Sequence, residues 1–259
     1  MTWEFGNGIC IKQFAWTGSS NIIPTMNSTL DQEESITYRD NSKRAKLAVN
    51  ILFVICVANL IAIASSYFEL VLLERIRNGE QVTDFEAASS DFRQGIIGLL
   101  QTGLYIVSIV LFLNWFRRAY GNLHRLGYKD LYQSENMAVW SFFIPIINLY
   151  RPFRIAKEIV QRMRHLLAKY STGYSPSLNI AIVGVWWALF LISNYIGNIA
   201  LRIAIKGESV ADMITTTQIY MISDFFDIPA AIITILLIKK ISNDEKLLFE
   251  VIKTGSYAV

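Results

Sequence analysis

Four long apolar runs decide what this chain can fold into. Leu47 to Phe68, Gly95 to Phe116 and Leu178 to Leu201 carry no charge, and each reaches the roughly 20 residues that a helix needs to cross a hydrocarbon core. A fourth run, Met213 to Ile238, is long enough but contains Asp224 and Asp227. A hydrophobic content of 53% over 259 residues and a mean hydropathy of +0.36 exclude an ordinary soluble globule. The expected fold is an all-α membrane protein with spans at about 47–70, 95–116, 178–201 and 213–238. These lie in an integral domain over 39–240, with a loosely ordered tail at 1–38 and a C-terminal tail at 241–259. Met26 opens a segment that runs more naturally into the first span than anything upstream of it. Ala62-Ile63-Ala64 resembles a signal-cleavage site, but apolar character continues through to Leu73, so the run reads as a retained span.

Between the second and third spans lies NMAVWSFFIPIINLYRPFRIAKEIVQRMRHLLAKY, from Asn136 to Tyr170. Its first part is uncharged, but as a helix 136–150 would reach only about 22 Å against about 30 Å of hydrocarbon. Pro145 and Pro152 break it. The second part sets apolar residues at steps of three and four from Phe153 to Tyr170. Arg154, Lys157, Arg162, Arg164 and Lys169 stand between them, the pattern of a basic amphipathic helix lying in an interface.

Topology follows from the cations, because positively charged loops are retained in the cytoplasm. Of 24 Lys and Arg, eighteen fall between Arg39 and the first span, between the second and third, or after the fourth, with Lys12 in the remote tail. The opposite loops hold five, beside eight acids. Both termini are therefore expected to be cytoplasmic. Crossing at 136–150 would export the basic helix, so four spans plus a re-entrant or surface-lying segment is preferred to five.

Acids at membrane depth are costly, and a functional role is their default reading. With Lys239 as the inner boundary, Asp227 sits about 18 Å and Asp224 about 22 Å up at 1.5 Å per residue. Asn194, Asn198, Asn59 and, less deeply, Gln101 fall in the same slab. Two readings stay open. The amides knit helices together, with Arg202 reaching Asp224 as an ion pair, or the cluster forms a polar pocket or an ion or proton site. The basic helix has anionic lipid headgroups as its expected partner; a protein partner or a second copy is the other. No nucleic-acid module is present.

Only Cys10 and Cys56 occur, without disulfide or metal-ligand spacing. No P-loop, G-x-S-x-G or H-E-x-x-H is found. No catalytic residue, metal or cofactor is expected, and the chain reads as non-enzymatic.

WFRRAYGNLHRLG, Trp115 to Gly127, and WSFFIPIINLYRPFRIAKEI, Trp140 to Ile159, resemble the signature of the bacterial membrane-protein family catalogued as domain of unknown function 4328. The resemblance covers roughly Arg39 to Lys240. Within the second motif Trp140, Pro145, Asn148, Arg151 and Pro152 match. It implies a multi-pass protein of the bacterial inner membrane and implies no activity. From side-chain chemistry, Asn148 is placed to cap the break between two helices and Arg151 to anchor it to phosphates. The first functional expectation is a structural or interaction protein acting through 136–170. The second is a small ion- or proton-coupled transporter or channel subunit using Asp224 and Asp227.

Overall fold

A computed structural model describes residues 38–128, 130–171, 179–206 and 209–254. Met26 and the expected tail lie outside them, apart from Tyr38, whose ring stacks on Phe249 at 4.7 Å. All regular structure among the described residues is helical: α1 (Ser42–Arg77), α2 (Asp84–Arg125), α3 (Met137–Trp140), a 3-10 turn at Ile147–Leu149, α4 (Arg151–Tyr170), α5 (Ile180–Lys206) and α6 (Val210–Thr254). Four of these, α1, α2, α5 and α6, are long and apolar enough to cross a membrane.

These helices outrun their apolar segments. At 1.5 Å per residue α1 is about 54 Å long and α6 about 68 Å, against a core of about 30 Å. Residues 241–254, read from the sequence as part of a tail, continue α6 and bury Ile241, Glu245 and Leu248. At its other end α2 begins with a capping box. Thr83 Oγ1 accepts from the Glu86 backbone N–H at 3.2 Å, and Glu86 Oε2 accepts from the Thr83 N–H at 3.0 Å. Pro229 lies inside α6 without ending it.

α1 packs along α6, with α2 on the free flank of α1 and α5 on the free flank of α6. Small side chains on α1 (Ala45, Ala48, Ala62, Ser65, Ser66) are buried and let the helices approach closely. The dense core sits at the end carrying the Lys- and Arg-rich segments, here the basic end. Trp115, Phe116, Tyr120 and Leu123 of α2 meet Ile155, Ile159 and Met163 of α4, and Leu237, Ile238 and Ile241 of α6. Toward the acidic end, α1 and α2 instead expose Leu60, Phe68, Leu99 and Leu100, as lipid-facing surfaces do.

The 136–150 segment forms no helix long enough to cross. After the four residues of α3 it turns repeatedly, and Ile146 adopts φ 65° and ψ −46°. Ile147 N–H donates to Pro145 O at 2.7 Å across it, a strained γ-turn for a β-branched residue. The sequence placed the apolar face of α4 in an interface; the structure places it in the core. Ile155, Ala156, Ile159, Val160, Met163 and Leu167 are buried against α2, α5 and α6. Lipid therefore does not cover that face.

Candidate functional site

α1, α2, α5 and α6 enclose a cleft of ≈ 1180 Å³. α2 and α5 come together at its floor, where Phe112 and Trp186 have ring centroids 6.1 Å apart and Phe142 contacts Phe112, Phe116, Trp187 and Phe190. Above this aromatic floor the cleft separates the two helices. It is open on that side, since Thr102 and Ile109 of α2 and Asn194, Asn198 and Leu201 of α5 both line it and stay exposed.

Four of the polar residues singled out from the sequence meet across this cleft. Gln101 Nε2 donates to Asn59 Oδ1 at 3.1 Å and to Asp224 Oδ1 at 3.0 Å. Tyr105, one turn further along α2, carries a hydroxyl 2.8 Å from Asp227 Oδ2 and 3.1 Å from Asn59 Oδ1. That hydroxyl has one proton for two acceptors. A proton or another cation at Asp227 would complete the set. Asn59 is fully buried, and its Nδ2 has no partner. Tyr105 was missed by the sequence reading, although its spacing of four from Gln101 puts both on one helix face.

Asn194 and Asn198 line the same cleft without joining the network; their amides donate to Phe190 O and Asn194 O within α5, each at 2.7 Å. Nor does Arg202 neutralise Asp224. Burial, the Gln101 hydrogen bond and Asp227 are the influences on that carboxyl, and among the described residues no Lys, Arg or His lines the cleft.

A second polar cluster lies at the basic end, beyond Lys239 and outside the spanning segments. Glu245 is 2% exposed. Its Oε1 accepts from Asn122 Nδ2 at 2.6 Å and its Oε2 from Asn41 Nδ2 at 3.1 Å. Asn122 is held in turn by the Arg39 backbone, accepting its N–H at 3.3 Å and donating to its carbonyl at 3.0 Å. Asn41 Nδ2 also donates to Trp115 O at 3.2 Å, leaving Asn41 Oδ1 buried without a partner. Burial pushes the Glu245 carboxyl up to about 7; the two amides and Arg118 oppose the shift, and Asp40 adds to it. The sequence reading assigned no role to this cluster, which joins the start of α1, the end of α2 and the extension of α6.

The WFRRAYGNLHRLG motif supplies much of this end. Trp115 Nε1 donates to Ser242 Oγ at 3.1 Å. Gly121 leaves room for Arg125 to pair with Glu135 at 3.1 Å, since a Cβ there would sit 2.7 Å from Arg125 Nη1. Tyr120 Oη donates to Glu158 Oε2 at 2.8 Å and accepts from the Gln133 N–H at 3.0 Å, which fastens α4 to α2. The profile described as "Domain of unknown function (DUF4328)" matches residues 78–243. The chain belongs to the DUF4328 family. No curated protein and no solved structure matches it.

The second DUF4328 motif behaves differently from what its residue types promised. Tyr150, not Asn148, holds the N-cap position of α4, and no side chain caps it. Asn148 contributes its backbone N–H, which donates to Ile144 O at 2.9 Å. Pro152 is buried in the first turn, where the missing N–H costs nothing. Arg151 Nε is buried without a hydrogen-bond partner, and Trp140 is 59% exposed. Among the five cations assigned to headgroups, Arg154 Nη1 donates to Tyr132 Oη at 2.8 Å. Arg162 pairs with Asp130 at 2.7 Å, and Lys169 lies 5.1 Å from the Tyr170 ring. Lys157 and Arg164 are half-buried.

Proposed function

We propose that this DUF4328 protein is a non-enzymatic multi-pass protein of the bacterial cytoplasmic membrane, with both termini cytoplasmic, which acts by contact through its 136–170 element. The exposed apolar tip carries the reading: Trp140, Phe143, Ile146 and Leu149 all point outward beside the basic face of α4. Apolar tip and cationic flank together suit the boundary between acyl chains and anionic headgroups. With the apolar stripe of α4 already buried, the contact falls to this tip and to cations such as Lys157 and Arg164.

A photo-crosslinking residue in place of Ile146, activated in native membranes, tests the proposal. Adducts to phospholipid, or to one discrete protein, are the expected result; absence of any adduct overturns it. Cysteines in place of Lys157 and Arg164 should react with an impermeant thiol reagent only after the cells are opened.

A second reading, a small ion- or proton-coupled transporter or channel subunit, is favoured by the two carboxylates that face the cleft without a cationic partner. Asp227→Asn should then abolish a pH-dependent flux in liposomes while expression stays intact.

A further inference from the structure

The cleft is far larger than the two carboxylates need. Its ≈ 1180 Å³ exceeds the roughly 300–1,000 Å³ of ordinary small-molecule sites. Among the described residues no group of three or more acids, histidines or cysteines is placed to hold a metal ion. A bare inorganic cation calls for several oxygens in close array, whereas here one oxygen of each Asp is already engaged by Gln101 or Tyr105.

The lining selects for charge and for shape separately. Its ionisable residues include Glu69, Asp91, Asp212, Asp224 and Asp227 and, among the described residues, no base. Glu69 already has Ser90 and Arg93 as partners, and Asp212 accepts from Ser209 at the start of α6. Asp91 is exposed near the acidic end, so the negative charge held inside the cleft is that of the Asp224 and Asp227 wall. Below that wall lie the faces and edges of Phe112, Phe142, Trp186 and Phe190. Carboxylates above a cluster of tilted and edge-on rings attract a cation that also has apolar surface to bury. The open side between α2 and α5 borders residues that face lipid, where such a molecule partitions.

We propose that the cleft binds an amphipathic organic cation, its charge against Asp224 and Asp227, its apolar body on the aromatic floor, admitted sideways between α2 and α5. This names a substrate class for the transport reading and rests on that reading's site, but binding does not require transport.

The full-length protein in lipid nanodiscs is titrated with radiolabelled tetraphenylphosphonium, and with tetraphenylborate as the same shape of opposite charge. Saturable binding of the cation alone is expected, at least tenfold weaker in Asp224→Asn and Asp227→Asn. Because either variant alters a member of the network, Asn194→Trp provides an independent check: it fills the cleft mouth without touching the network, and should also abolish binding. Equal binding of both ions, or undiminished cation binding in correctly assembled Asn and Trp variants, overturns the proposal. A proton or inorganic-cation flux without tetraphenylphosphonium binding overturns it too, while leaving the transport reading intact. Saturable, Asp-dependent binding without any flux supports the site and removes the transport reading.

Discussion

Glu245 offers the most quantitative test of the basic end. In the fold its carboxyl holds a proton up to about pH 7, against an ordinary value of 4.5, so between those limits the native state binds more protons than the unfolded chain. Stability must then fall as pH rises through that window and level off above it. Where protonation differs fully, the slope is about 1.4 kcal/mol per pH unit. Going from pH 8 to pH 6 should therefore add about 1.4 kcal/mol, or about 3–5 °C in melting temperature for a chain of this size. The charged and titratable neighbours are Asp40, Arg118 and Tyr38. Thermal scans of detergent-solubilised protein, read as the fraction remaining monodisperse, would compare wild type with Glu245→Gln. The variant keeps an oxygen for Asn122 and should lose the pH slope. An identical slope in both proteins, or a flat wild-type profile, would refute the reasoning.

Gly121→Ala forces a Cβ to within 2.7 Å of Arg125 Nη1 and Glu135 Cδ; opening that ion pair should cost about 1 kcal/mol, and a double-mutant cycle should show the cost vanishing when Glu135→Ala is already present. Ile146→Gly relieves a φ of 65° and should gain about 1 kcal/mol in thermal stability. Met163→Ala empties a core position of α4 and should lose about 2–5 kcal/mol. Lys157→Ala should leave the melting temperature unchanged and weaken retention of anionic lipid by about 1 kcal/mol, measured by native mass spectrometry of copurified lipid.

The four long apolar helices were legible in the sequence because each apolar run is long, and length is the property a bilayer selects. Their ends were not. Ile241, Leu248 and Glu245 lie beyond Lys239 and Lys240, where composition turns polar, and only tertiary contact with α1 and α2 makes that stretch a continuation of α6. The stripe on α4 was legible as a helical period from Phe153 to Tyr170, but periodicity reports that one face is covered without naming the cover, and protein took the place assigned to lipid. Asn59, Gln101, Asp224 and Asp227 were grouped by depth alone, which was enough to bring them to one cleft. Depth does not give azimuth, so Asn194 and Asn198 were grouped with them although their amides bond within α5. Tyr105 escaped notice because an aromatic in a span is ordinarily a packing residue.

Every long helix is clamped at the basic end, by the aromatic core and by the Asn41, Asn122 and Glu245 contacts, while α2 and α5 stand apart above the floor. Each is thus a beam with its root built in and one flank braced, α2 by Glu69, Ser65 and Arg75 of α1 and α5 by α6, while the other flank faces the gap. Deflection under load grows toward the tip, so the cleft can widen for a bulky guest with little disturbance at the root. Pro229 sits on α6 just rootward of the two aspartates, where the rod is softest.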